Sequence, residues 1–192
     1  MKLIYTLGAL LKRLIFSFSL LLLFFLTIGE SMADRKKEDL IYLELKNGRV
    51  VIETKPDIAP NHVKRIKELV SEGFYDGIVF HRVIDGFMAQ TGDPKGDGTG
   101  GSDKPDLKAE FSKANHGRGA VSMARAQNPD SANSQFFICF DDASFLDGNY
   151  TVWGQVIEGM EFVDQIKKGD GPNGSVSNPD KIIKMQLATE AN

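Results

Sequence analysis

Short runs of alternating apolar and polar residues, separated by glycine and proline, constrain the fold of this chain most. The clearest pair encloses Asn47-Gly48, with Leu40–Leu45 before it and Val50–Glu53 after it. An Asn-Gly between two such runs predicts a β-hairpin, because both central positions of the turn favour positive φ. Further strands are predicted at residues 78–84, 120–124, 135–140, 150–156 and 182–187. The chain is therefore predicted to be mainly β.

Two segments have the three- and four-residue spacing of an amphipathic helix. Asn61–Glu72 is apolar on one face and follows Pro60, a residue that suits the first turn of a helix. Gly159–Lys168 is predicted to be a second, shorter helix. Many short strands with one early and one late helix predict a closed barrel that is plugged at its ends.

The first 33 residues have the three-part pattern of a secretory signal peptide. Basic residues begin it, Leu14–Gly29 contains no charge, and Ser31-Met32-Ala33 offers the small residues of a cleavage site. We expect cleavage after Ala33, which leaves a flexible lead-in at 34–39 and one domain at 40–192. The alternative is a retained membrane anchor, because the uncharged run is near the lower length limit for crossing a bilayer.

Composition narrows the partners and the compartment. Without the leader the chain has 20 basic and 25 acidic residues, a net charge of −5, and no basic stripe, so a nucleic-acid partner is not expected. Cys139 is the only cysteine and cannot form an internal disulfide. An exported protein without disulfides fits the bacterial periplasm. We predict a periplasmic monomer that meets the membrane only if the leader is kept.

The familiar catalytic and metal-binding patterns are missing from the sequence. The glycine-rich loop at 92–101 lacks the lysine of a phosphate-binding loop, and the three histidines are too far apart to predict a metal site. Ser122 lacks the setting of a hydrolase nucleophile. His81 is predicted to be packed and hydrogen-bonded, and Cys139 to be a small buried apolar residue. No metal or cofactor is expected.

The stretch Phe80–Asp93 places Arg82 beside apolar residues and Gln90. Apolar residues here and later in the chain could simply form the core, which is their usual place. Arg82 favours a binding site instead, because an unpaired charge is costly to bury. The sequence leaves both interpretations open at this point.

Several linked motifs resemble one family. The sequences FHRVIDGFMAQTGD, GTGG, SMARA, NSQFFIC and FLDG are similar, in order and spacing, to those of the cyclophilins, the peptidyl-prolyl cis–trans isomerases. The resemblance covers Leu40–Leu187, and the sequences YTVWG and MEFVD resemble the exported bacterial branch. It implies an eight-stranded antiparallel barrel, closed and capped by two α-helices.

The resemblance also implies a site. Its catalytic residues would be Arg82 and Gln90. Its substrate-binding residues would be Phe87, Met88, Gly98, Ala124, Arg125, Ala126, Gln135, Phe137, Phe145, Leu146 and Tyr150.

Three positions depart from the best-known eukaryotic pattern. Phe145 replaces a tryptophan associated with cyclosporin binding, Tyr150 replaces a histidine, and Arg125 replaces an asparagine. The first two replacements keep an aromatic wall, so catalysis is expected to survive while cyclosporin binds weakly. Arg125 is expected to keep the role of its position, which offers backbone groups to the peptide.

The expected function is rotation of X-Pro bonds in proline-containing peptides and in unfolded exported proteins. Rotation makes and breaks no bond, so it needs neither a nucleophile nor a base. The alternative is a proline-peptide-binding chaperone whose catalysis is incidental. Arg82 favours the enzyme, because binding alone does not require a guanidinium.

Overall fold

The computed structural model describes residues 36–191, and the predicted signal peptide at 1–33 lies outside this range. The described residues form eight strands, two α-helices and two 3-10 turns. The strands are β1 (Leu40–Leu45), β2 (Gly48–Thr54), β3 (Arg82–Ile84), β4 (Met88–Thr91), β5 (Ala120–Met123), β6 (Phe136–Cys139), β7 (Val152–Glu158) and β8 (Lys184–Leu187). The helices are α1 (Pro60–Ser71) and α2 (Met160–Asp164), and the 3-10 turns are Lys37–Asp39 and Ser144–Leu146. Neither helix has the length and apolar character needed to cross a membrane.

All eight strands belong to one antiparallel sheet in the order β3-β4-β6-β5-β7-β2-β1-β8. The sheet is an open half-barrel, so the prediction of a closed barrel was wrong. Among the described residues, the edge strands β3 and β8 do not pair with each other. Isolated bridges such as Val79–Lys181 and Arg82–Ser175 link the region of β3 to the segment that precedes β8. Pro179 lies in that segment, and proline cannot donate a ladder hydrogen bond.

The predicted hairpin and first helix are confirmed, two predicted boundaries need correction, and one strand was not predicted. The third strand begins at Arg82 rather than Ile78. The second helix ends at Asp164, because the next amides bond three residues back in a tighter turn. Strand β4 was not predicted, although Asp85-Gly86 marks the turn before it, with Gly86 at φ 69°.

The two faces of β6 belong to different apolar clusters, as its alternation predicts. Phe136, Ile138 and Phe140 point into the main core, which the apolar residues of both helices join. Phe137 and Cys139 point to a second cluster on the other face. Burial raises the pKa of the Cys139 thiol to about 12, so it is a neutral apolar residue at physiological pH.

The N-terminus of α1 is capped from a distant loop. Ala59, at the N-cap, has no capping side chain. The Glu110 carboxylate instead accepts hydrogen bonds from the backbone N–H groups of Asn61 (3.1 Å) and His62 (3.0 Å) and from His62 Nδ1 (2.6 Å). Burial acts to raise the pKa of Glu110, but these hydrogen bonds outweigh it and hold the pKa below its ordinary value. The ionised carboxylate therefore stabilises the fold.

We expect Glu110→Ala to lower the free energy of unfolding by about 1–3 kcal/mol, because the first turn of α1 loses its acceptor. Urea denaturation at pH 7 measures this. Because the pKa of Glu110 is lowered in the folded state, the full difference in the free energy of unfolding between wild type and Glu110→Ala is present at neutral pH. It narrows as the pH falls below the ordinary glutamate value of about 4.3.

Glu158→Ala is the matched control, since Glu158 is exposed, and its effect should stay within about 0.5 kcal/mol. A difference between wild type and Glu110→Ala that is absent at pH 7, or that grows on acidification, would contradict the capping role.

Candidate functional site

A cavity of about 300 Å³ opens on the side of the sheet that carries the second apolar cluster. Strands β3, β4 and β6, the 3-10 turn Ser144–Leu146 and three loops supply its walls. The lining residues are Arg82, Phe87, Met88, Gln90, Ala124, Arg125, Phe137, Phe145, Leu146 and Tyr150. Each of the ten was singled out from the sequence.

A second cavity of about 400 Å³ adjoins the first and shares Gln90, Ala124 and Arg125 with it. The remaining sequence-predicted residues, Gly98, Ala126 and Gln135, line this second cavity. The structure thus brings all the predicted residues to one groove made of two connected cavities. We refer to the two as the first cavity and the second cavity.

Strand pairing explains why residues so far apart in sequence share one face. Arg82 lies directly opposite Gln90 on β4, Gln90 opposite Phe137 on β6, and Phe137 opposite Ser122 on β5. Directly opposed residues of antiparallel strands point to the same side of a sheet. One row across four strands therefore sets the positive, amide and aromatic groups side by side.

Arg82 is held by two hydrogen bonds. Its Nε donates to the carbonyl oxygen of Asn173 (3.0 Å) and its Nη1 to Gln90 Oε1 (3.0 Å). Gln90 Nε2 in turn donates to Gln135 Oε1 (2.9 Å). Nη2 of Arg82 has no acceptor within residues 36–191. The Arg82–Gln90–Gln135 network therefore fixes the guanidinium and leaves its Nη2 N–H groups available to a ligand.

The glycine-rich loop anchors the far end of this network. Gln135 Nε2 donates to the carbonyl oxygens of Gly98 (3.1 Å) and Gly100 (2.8 Å). The loop itself folds around the buried Asp93 carboxylate, which accepts the backbone N–H of Gly98 at 2.6 Å. A Cβ on Gly100 would lie 2.1 Å from Asp93 Oδ1, so only glycine fits there.

Further amides complete the cage around Asp93, from Lys95 (2.8 Å) and Asp97 (3.1 Å). Burial acts to raise the pKa of Asp93, but these backbone hydrogen bonds outweigh it and lower the pKa. The carboxylate is therefore ionised at neutral pH and organises the loop.

His81 is buried next to this loop, with its ring near Gly98. The prediction that it would be packed is confirmed, and the prediction that it would be hydrogen-bonded was wrong. Neither ring nitrogen makes a well-formed hydrogen bond to a described residue. Burial lowers the pKa of His81, so the ring is neutral and packs as an apolar group.

Behind the first cavity lies a hydrogen-bonded group that sequence reasoning missed. Asp147 Oδ1 bonds His116 Nδ1 (2.8 Å), and His116 Nε2 bonds Ser122 Oγ (3.0 Å). Ser122 is fully buried, so it cannot reach a substrate as a nucleophile. The His116 ring instead stacks on Phe137 (6.2 Å) and meets the edge of Tyr150 (6.5 Å). The group supports the aromatic wall, and no sequence spacing connects its members.

The aromatic wall runs from a dry floor to an open rim. Met88 is 1% exposed and Phe137 5%, whereas Phe145 is 70% exposed. The rings of Phe87 and Phe145 lie 5.3 Å apart, and those of Phe137 and Tyr150 5.9 Å. A small apolar ring of a bound peptide can be desolvated at this floor, while the rest of the peptide lies along the groove.

Comparisons with known proteins agree with this geometry. The family model for the cyclophilin type peptidyl-prolyl cis-trans isomerase/CLD matches residues 40–187. A probable peptidyl-prolyl cis-trans isomerase of Brucella abortus (strain 2308) is 58% identical over 165 residues, which cover 80% of this chain and 84% of that protein. Peptidyl-prolyl cis-trans isomerase B of Bacillus subtilis (strain 168) is 42% identical over 131 residues, 67% of this chain and 91% of its own.

Two solved structures are similar in fold. Cyclophilin AquaCyp293 from Hirschia baltica has a TM-score of 0.73 at 28% identity, over 82% of this chain and 76% of that one. A Cryptosporidium parvum cyclophilin type peptidyl-prolyl cis-trans isomerase, crystallised in the presence of the dipeptide Ala-Pro, has a TM-score of 0.71 at 26% identity. That match covers 80% of this chain and 99% of the other.

We expect Asp93→Ala to release the glycine-rich loop. A hydrogen bond to a charged acceptor contributes about 1.5–3 kcal/mol, so amide exchange at Gly98 should accelerate by about 10- to 100-fold. Hydrogen exchange followed by NMR measures this residue by residue.

Asp97→Ala is the matched control in the same loop. Among the described residues, the Asp97 carboxylate accepts hydrogen bonds only from Thr99. It should accelerate exchange at Thr99 and leave Gly98 unchanged. Unaltered protection of Gly98 in Asp93→Ala would show that the carboxylate does not organise the loop.

Proposed function

The chain belongs to the cyclophilin-type peptidyl-prolyl cis–trans isomerases, and we propose that its first cavity is where X-Pro bonds rotate. The observation that carries this proposal is the held guanidinium of Arg82 beside a dry apolar floor. The enzyme accelerates rotation about the bond that precedes proline. The residue roles that follow are inferred from this geometry.

The reaction needs a donor aimed at the proline nitrogen. Amide resonance sets a rotation barrier of about 18–20 kcal/mol, and the nitrogen regains its lone pair when the bond is twisted. Arg82 is always protonated, and its Nη2 can donate to that lone pair. The planar ground state offers the donor little, so the hydrogen bond stabilises the transition state selectively.

The remaining groups hold the substrate. Met88, Phe137 and Leu146 enclose the proline ring, and desolvation there strengthens the interaction with Arg82. Gln90 accepts from Arg82 and donates to Gln135, which leaves it one N–H for the carbonyl oxygen that swings during rotation.

The part of the substrate peptide that precedes proline pairs with the backbone of Arg125. The backbone N–H and C=O of Arg125 make no hydrogen bond within residues 36–191, so both are available to an extended peptide. Ala124 and Ala126 flank this position with small side chains that leave room for the peptide. Proline-containing peptides are therefore the substrate class.

The physiological setting that we propose is export. The signal-peptide pattern at 1–33 and the single cysteine support a periplasmic protein that assists folding of newly exported proteins. No cofactor or metal has a part in the proposed chemistry. Cyclosporin binding is expected to be weak, because Phe145 at the exposed rim offers a smaller ring than tryptophan.

Arg82→Ala should lower kcat/KM for a short proline peptide by about 10²–10³-fold, because one preorganised donor to the transition state is lost. A protease-coupled isomerase assay on Asp34–Asn192 measures it. Arg82→Lys should recover only part of the loss, since an ammonium cannot copy the planar fork that meets Asn173 and Gln90 together.

Arg49→Ala removes the same charge at an exposed position outside both cavities and should leave kcat/KM near wild type. Near wild-type activity of a correctly folded Arg82→Ala would refute the proposed mechanism.

Export itself predicts a new N-terminus at Asp34. N-terminal sequencing of the protein recovered from the periplasm of a producing bacterium tests this. Ala33→Arg should block processing, because the peptidase requires a small residue there. Recovery of the wild-type chain with residues 1–33 still attached, in the membrane fraction, would favour the retained anchor instead.

A further inference from the structure

The first cavity has an unusual charge for this protein. The chain has more acidic than basic residues, with a formal net charge of −3. Two arginines, Arg82 and Arg125, nevertheless line the first cavity, and no aspartate or glutamate does. Rotation of a neutral amide requires only one cation, which the mechanism assigns to Arg82. The second arginine therefore needs another explanation.

Arg125 is held as firmly as Arg82. Its Nη1 donates to the carbonyl oxygens of Ala126 (2.9 Å) and Gln127 (3.3 Å). Its Nε and Nη2 donate to that of Asn149 (3.3 and 3.1 Å). The guanidinium also lies over the Tyr150 ring, 4.6 Å from its centre. Its position is thus fixed before any substrate arrives.

Four of the five N–H groups of Arg125 are used in this way, and their three acceptors are neutral carbonyl oxygens. No carboxylate forms an ion pair with Arg125 within the described range, whereas Arg49 pairs with Glu44 and Arg118 with Asp164. The charge of Arg125 is therefore uncompensated, and one N–H remains free. A substrate carboxylate could bind it without the cost of ordering a flexible side chain.

Arg125 also stands where the peptide must pass. It lines both cavities, so a chain with its proline in the first cavity and its preceding residues in the second runs alongside it. The carboxylate that lines the second cavity, Asp106, already accepts a hydrogen bond from Asn133 at 2.9 Å. The charged residues that line the two cavities are two arginines and this one aspartate, so their formal charges sum to +1.

We infer that Arg125 is a specificity-determining residue that favours peptides with an acidic side chain immediately before the proline. This inference rests on the proposed site. Because the groove is open to solvent, the attraction is that of a partly exposed ion pair. Such a pair corresponds to a preference of about 2- to 5-fold in kcat/KM.

The test uses three acetylated tetrapeptide amides, Ala-Xaa-Pro-Phe, in which Xaa is Glu, Gln or Lys. Two-dimensional NMR exchange spectroscopy on Asp34–Asn192 gives the catalysed rate for each, without a coupling protease. We expect the order Glu, Gln, Lys at low ionic strength. The Glu/Gln ratio should fall towards one in 1 M salt, where the Debye length is only about 3 Å.

Arg125→Gln should bring the Glu/Gln ratio to about one even at low salt, and Arg125→Lys should keep it above one. The ratio is the readout, because a change in groove shape affects all three peptides alike. Arg49→Gln is the matched control: Arg49 also lies over a tyrosine ring, at 4.4 Å from Tyr42, but outside both cavities. It should leave the ratio unchanged.

A wild-type ratio near one, or a ratio that is the same in Arg125→Gln and insensitive to salt, would overturn the inference while leaving the isomerase intact. Failure to isomerise any of the three peptides would instead overturn the proposed function. If Arg125→Gln does not fold, the salt dependence in wild type and the Arg125→Lys ratio still decide the question.

Discussion

The direction of each hydrogen bond in the Arg82–Gln90–Gln135 network follows from one property of Arg82: a guanidinium donates and never accepts. Gln90 must therefore turn its oxygen towards Arg82 and its amide nitrogen towards Gln135. Gln135 must then donate to the carbonyl oxygens of the glycine-rich loop. A single charge therefore sets the orientation of the Gln90 and Gln135 amides, which removes the rotational freedom that these side chains would otherwise have.

The same logic explains why the loop is built around a carboxylate. A loop of glycines has many conformations, and its carbonyl groups could not hold Gln135 unless something restricted them. Asp93 supplies that restriction by collecting the amides that point inward. The Asp93 carboxylate inside the loop and the Arg82 guanidinium outside it thus order the groove without touching, through the neutral amides of Gln90 and Gln135. The proposed reaction uses the charge of Arg82, whereas the arrangement of the groove depends on both charges.

Sequence reasoning predicted the parts that depend on local pattern. Alternation along β6 placed Phe137 and Cys139 on one face, and the Asn47-Gly48 turn gave the first hairpin. The cyclophilin resemblance, which the family comparison confirms, named the residues that the structure gathers around the groove. The roles of those residues stay predictions until variants are measured.

What the sequence could not give depends on contacts between distant segments. Glu110 caps a helix that begins 50 residues earlier, at Pro60. His116, Ser122 and Asp147 meet only because strands and loops bring them together. Whether the sheet closes into a barrel depends on pairing between its edge strands, β3 and β8. The alternation of apolar and polar residues within a strand does not predict that pairing. The local pattern of apolar residues predicts the strands and helices. Contacts between distant segments determine which polar groups form hydrogen bonds.

The single cysteine has a consequence for how the opening of the sheet can be observed. Cys139 lies fully buried in β6, directly opposite Met88 in the floor of the groove. In an oxidising compartment an exposed thiol is consumed by mixed disulfides, whereas this one reacts only when the sheet opens. The rate at which a thiol reagent modifies Cys139 therefore measures how often the sheet opens at the floor of the groove.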